Sequence, residues 1–311
     1  MRHLLFFILI ICVSVNYSKA QEKIEVLYEK DTAGKYIFYC TNENYCTCTI
    51  EIFFEQLFNL ECNVDLPYKT EVVYGRNRLF TLETIDPSKS STFKFSYKYV
   101  KGCVNPKIDN SFTYLLPIAA GKETEPFSLT YFQINEQYPE PKDYYAVGFK
   151  TNIGDTIFAA RRGIVSAIRD TANLKFSDYS YSSVDNYIEI FHKDCSFGMY
   201  KVFKKSLVSL GQTVEAGDPI AIAGGDKYIS GPHFRFWVYY NYEQKLQIKN
   251  KDGNNVIKYW AYVPLVFYTK EKKNVTLNVG ENYTSIHPDS LIIQEMTKRQ
   301  IKKWQKKNHS L

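Results

Sequence analysis

The stretch Phe93-Lys94-Phe95-Ser96-Tyr97-Lys98-Tyr99 alternates aromatic and polar residues without a break. Successive side chains of a strand point to opposite faces, so a period of two fits a half-buried antiparallel strand and no helix. The same alternation recurs at 24–28, 36–39, 49–54 and 79–83, punctuated by turn chemistry such as Asn42-Glu43-Asn44 and Asp86-Pro87-Ser88. It returns at 156–160, 163–168, 186–192, 199–203, 219–223 and 233–240, with corner glycines including Gly154, Gly163, Gly211, Gly217, Gly225 and Gly231. The expectation is an all-β chain: an N-terminal immunoglobulin-like β-sandwich, then an antiparallel sheet or flattened barrel.

The ends are different. After Arg2 comes an apolar run over 4–15 and a small-x-small exit at Ser18-Lys19-Ala20, which reads as a secretory signal peptide cleaved before Gln21. The run is too short to span a membrane, and no later stretch approaches about 20 consecutive apolar residues. Cys12 follows Ile11, where a lipidation signal would want a small residue. The domains are therefore expected at 1–20 (signal), 21–108 (sandwich), 109–275 (sheet domain) and 276–311, a basic tail with a helix over 291–311. Its cations could touch an anionic surface or simply be solvated.

Without Arg2 and Lys19 the formal charge falls from +6 to +4, because 1–20 holds no acid. That bias is too mild to argue for nucleic acid, and no basic patch is interleaved with aromatics. The cysteines beyond Cys12 are Cys40, Cys46, Cys48, Cys62, Cys103 and Cys195. An even number in an exported chain suggests disulfides, with pairing left open. Either Cys195 staples the two halves or each half holds a free thiol. Cys46-Thr47-Cys48 resembles a metal clip, but no second pair or histidine lies near it in sequence.

Four stretches carry the functional reading: YAVGFKTNIGDTIFAARRGIVSAI (145–168), NYIEIFHKDCSFGMYKVF (186–203), SLGQTVEAGDPIAIAGG (209–225) and SGPHFRFWV (230–238). Their order resembles the successive blocks of the lysostaphin-type zinc endopeptidases, metallopeptidase family 23. The resemblance implies an antiparallel sheet with a groove in which one zinc cleaves bacterial wall cross-links. It also implies zinc ligands from an early His, an Asp ending a Tyr-Ala-Val-Asp-like strand and the second His of a His-x-His strand. The first His of that strand and the His of a Tyr-x-His motif would assist.

Here those positions hold other residues. Gly148 stands for the Asp, and no histidine precedes His192 in the mature chain; the simplest register puts Tyr144 at the early His. The Tyr-x-His motif reads Tyr200-Lys201-Val202, and the His-x-His strand reads His233-Phe234-Arg235. Arg has no lone pair to give. A divalent ion about 4 Å from it would be repelled by roughly 8 kcal/mol at an effective dielectric near 20.

The expected protein is thus a degenerate, exported homologue, periplasmic or secreted, that binds peptidoglycan or an envelope partner through a groove lined by Tyr144, Tyr200, His233 and Arg235. No cofactor is expected. The alternatives are an active zinc endopeptidase with a non-standard ligand set, for instance His192 and Asp194, and a structural or adhesive envelope protein. No Gly-x-Ser-x-Gly elbow or P-loop pattern offers another chemistry, and a Cys195/histidine nucleophile would need a free thiol.

Overall fold

In the first third of the chain the alternation becomes two sheets packed face to face. A computed structural model describes residues 23–130, 143–172, 174, 177–249 and 255–308, with the side chains of 244–249 and 255–259 left aside. The expected signal peptide and residues 309–311 of the expected C-terminal helix lie outside the described residues.

The N-terminal strands are β1 (Ile24–Lys30), β2 (Tyr36–Asn42), β3 (Cys48–Phe58), β4 (Leu60–Cys62), β5 (Tyr68–Val72), β6 (Gly75–Thr84) and β7 (Thr92–Lys101). One sheet runs β1-β2-β6-β4 and the other β5-β3-β7. Their inward residues, Ile24, Val26, Phe38, Phe80 and Leu82 against Ile50, Ile52 and Val72, form one buried core. The sandwich is present, but its order is not the immunoglobulin one, in which the fifth strand would lie beside the second and the sixth beside the third. Two short strands with little periodicity account for the difference. At Asn59 (φ 54°) the chain turns out of β3 and enters β4 in the opposite sheet, and β5 then takes the place beside β3.

The second half opens with β8 (Thr113–Leu115), β9 (Glu123–Thr124), β10 (Pro126–Ser128), β11 (Val147–Lys150), β12 (Thr156–Phe158) and β13 (Gly163–Arg169). It continues with β14 (Tyr187–Phe191), β15 (Phe197–Lys201), β16 (Phe203–Ser206), β17 (Thr213–Val214), β18 (Pro219–Ala223) and β19 (His233–Lys249). Last come β20 (Asn255–Tyr262), β21 (Val266–Tyr268), β22 (Tyr283–Thr284), α1 (Asp289–Ile292) and α2 (Lys298–Asn308). The main sheet runs β10-β11-β19-β15-β14-β13-β17, with β20 also on β19. Its outer strands do not meet, so the sheet is open rather than a flattened barrel. One face buries Val147, Phe149, Val165, Ile188, Phe234 and Phe236 against the small sheet β12-β18-β16.

The opposite face is divided. Phe191, Phe197 and Tyr239 pack onto the sandwich core, and Lys101 of β7 bonds Glu189 of β14 at 2.5 Å. Cys103 and Cys195 form a disulfide here, so the staple joins the two halves. Cys40, Cys46, Cys48 and Cys62 are thiols, the first three buried. The tail also departs from expectation. Its early part supplies β22, which pairs with β9, and residues 293–297 interrupt the helix expected over 291–311. Thr297 and Gln300 then cap α2 reciprocally, Thr297 N donating to Gln300 Oε1 at 2.8 Å.

Candidate functional site

Strand β19 alternates its side chains, sending Phe234, Phe236 and Val238 into the core and His233, Arg235 and Trp237 to the other face. Register fixes their neighbours. Arg235 lies opposite Gly148 on β11 and Lys201 on β15, and Tyr200 lies opposite Phe236. Tyr200 therefore points inward. It is fully buried, and its hydroxyl accepts from Ala160 N at 2.8 Å. The expected groove residue is a core residue, because one step of register separates Tyr200 from the groove face, and Lys201 takes its place.

A cavity of about 380 Å³ lies over this face, lined by Phe127, Tyr144, Tyr181, Lys201, Arg235 and Trp237 among others. Tyr144 and Arg235 are thus brought together. The loop over 170–185 overhangs them through Ser180 and Tyr181, and Ser180 O accepts from Arg235 at 3.5 Å.

His233 is fully committed. Its Nδ1 donates to Gly231 O at 2.7 Å, which leaves Nε2 as the acceptor, and Nε2 receives Arg235 Nε at 3.2 Å. The ring stands edge-on between Phe127 (5.4 Å) and Tyr228 (5.2 Å). Burial, reinforced by Arg235, holds its pKa below the usual histidine range. The Arg235 guanidinium sits 4.8 Å over the Tyr228 ring, and Tyr228 donates its hydroxyl to buried Asp185. Lys201 Nζ lies 3.7 Å from the other Asp185 oxygen. Burial pushes the Lys201 pKa down, as do Arg235 and Arg169, against the pull of Asp185. Asp185 thus has Lys201 as its nearby cation, while Lys201 and Arg235 together give the cavity lining two positive charges.

A catalytic zinc does not fit these residues. At Gly148 a Cβ would lie 2.2 Å from the Phe127 ring, so an aromatic ring occupies the space an Asp side chain would need. The lone pair of His233 is directed at Arg235. Val202, where the resemblance expects an imidazole, is buried with φ 66° and lines a neighbouring cavity beside Asp185. Among the described residues no group of three or more His, Cys, Asp or Glu is placed to hold a metal.

The second candidate pair is also accounted for. Asp194 accepts from Arg161 at 2.8 Å and from Ser196 Oγ at 2.6 Å. His192 is buried with Nδ1 bonded to Arg162 O at 2.8 Å, and burial, then Arg161, pushes its pKa down to about 3. Cys195, being in the disulfide, offers no nucleophilic thiol. Sequence reasoning missed Phe127, Lys201, Asp185 and Tyr228. Lys201 carried no usable local signal, because alternation stops at Val202 (φ 66°) and core residue Phe203 begins the next strand; the others arrive from distant loops and an edge strand.

Residues 142–248 match Peptidase family M23. An uncharacterized metalloprotease of Buchnera aphidicola (subsp. Baizongia pistaciae) is 26% identical over 187 residues, 58% of this chain; the chain spans 40% of that protein's length. The lysostaphin catalytic domain from Staphylococcus simulans is 24% identical, covering 38% of this chain and 78% of its own, with a TM-score of 0.26. A mutant catalytic domain of the prophage-encoded M23 protein EnpA from Enterococcus faecalis is 16% identical, covering 45% of this chain and 93% of its own, with a TM-score of 0.29.

Proposed function

We propose, from the match of residues 142–248 to Peptidase family M23, that the chain is a peptidase-like wall-binding protein that does not hydrolyse. Its groove takes a carboxylate of a cell-wall peptide. The observation that carries this reading is the Arg235–His233 hydrogen bond with Lys201 across the strand. It ties up the imidazole of His233, which is buried beneath the groove rather than lining it, and puts two cations where the family's chemistry would put a metal. Arg235 Nη atoms and Lys201 Nζ supply charge-assisted donors, and Tyr144, Trp237 and Phe127 give apolar walls for the peptide stem. Export rests on the leader-like residues 1–20.

The test is calorimetric titration of the full chain with a soluble wall peptide bearing a free carboxylate. A bond between Arg and a carboxylate contributes about 1.5–3 kcal/mol, so Arg235→Glu is expected to weaken binding at least 10-fold. Unchanged binding by Arg235→Glu sinks the groove reading. Stoichiometric, tightly held zinc together with chelator-sensitive cleavage of wall cross-links sinks the non-hydrolytic one in favour of an active peptidase.

A further inference from the structure

Helix α2 reads Lys-Arg-Gln-Ile-Lys-Lys-Trp-Gln-Lys-Lys-Asn and contains no acidic residue. At 3.6 residues per turn its six cations, Lys298, Arg299, Lys302, Lys303, Lys306 and Lys307, fall within one half of the circumference, an arc of about 180°. The other half holds Gln300, Ile301 and Trp304, each partly covered, while all six cations are exposed. The apolar side is therefore the less exposed one, and the cationic side is open to solvent. The whole chain has a formal charge of +6 and α2 alone carries six positive charges, so the remaining residues sum to zero, or to −2 once the expected leader with Arg2 and Lys19 is removed. The molecule's net charge is concentrated on one helix face about 16 Å long.

The chain is tethered just ahead of this helix. Glu295 accepts from Arg161 Nε at 3.1 Å and Nη2 at 2.8 Å, and Arg161 is buried in the sheet domain. A convex row of mostly lysines has no groove to grip a strand and no fork to read a particular anion. It suits a broad array of phosphates, and clusters of four to eight basic residues on an amphipathic helix match anionic lipid surfaces.

We propose that α2 is an electrostatic anchor by which the protein adsorbs to a phospholipid surface rich in anionic headgroups. This is independent of the groove. Sedimentation of the full chain with vesicles of phosphatidylglycerol and phosphatidylcholine tests it against vesicles of phosphatidylcholine alone. The expected result is binding to the mixed vesicles only, weakening as salt is raised. Lys302→Gln combined with Lys303→Gln is expected to weaken it about 30-fold, from about 1 kcal/mol per basic residue. Both residues are exposed, so the melting temperature should not move, and Arg235→Glu should leave vesicle binding intact. Equal binding to both vesicle types, binding indifferent to the double substitution, or binding of soluble polyphosphate without any binding of anionic vesicles overturns the proposal.

Discussion

At Gly148 the missing Cβ is what lets the Phe127 ring lie against the sheet beside His233. The same absence removes the carboxylate that the resemblance would place there. Restoring a side chain is therefore a packing question before it is a metal question. Gly148→Ala is expected to destabilise the protein by about 1–3 kcal/mol through overpacking. Phe127→Ala introduced alongside it should recover part of that loss, which a double-mutant cycle by chemical denaturation measures. Strictly additive losses would show that the ring and the glycine are not in contact. Gly148, Val202 and Arg235 could be read from the sequence as altered positions, because motif spacing marks them. What fills the space could not, since Phe127 comes from β10 on the far side of residues 131–142.

The corner between β14 and β15 is built around His192. Gly163 on β13 and Gly198 on β15 leave room for the imidazole, and a Cβ at Gly198 would lie 2.8 Å from its Nε2. The buried ring is held neutral, with its pKa pushed from the ordinary ~6.5 down to about 3 by burial and by Arg161. The folded value lies below the unfolded one, so this stabilisation is complete above pH ~6.5 and fades as pH falls toward about 3. The loss amounts to roughly 1.4 kcal/mol per pH unit for a single group. His233 and His287, also lowered by burial, act in the same direction. The melting temperature should therefore fall between pH 6.5 and 4.5, and His192→Gln should flatten that slope; an equally steep variant would exclude His192 as its source. Element scale is also where alternation misled. It located most strands, but Tyr200 and Lys201 differ by one position, and only pairing with Phe236 and Arg235 shows which of the two faces the groove.

Across the whole molecule the sandwich is fastened to the same sheet face that carries the groove. The Cys103–Cys195 disulfide, the Lys101–Glu189 pair and Asn241, which donates to Lys101 O, meet at this joint. Burial alone would raise the Glu189 pKa, but Lys101, Tyr239 and Ser166 outweigh it and hold the carboxylate ionised. The disulfide closes a loop with a sequence separation of 92. Replacing both Cys103 and Cys195 by Ser should cost about 2–5 kcal/mol in denaturant unfolding. An unchanged midpoint would mean that the noncovalent joint constrains the chain just as well. By itself the sequence determined the all-β character and the positions of the main strands, because strand periodicity is local. The tertiary structure alone decided the strand order of the sandwich, the pairing of Cys103 with Cys195 and the direction of Tyr200. It also decided the partners of His233 and Arg235, because each depends on which distant segments come to lie side by side, and no local pattern records that.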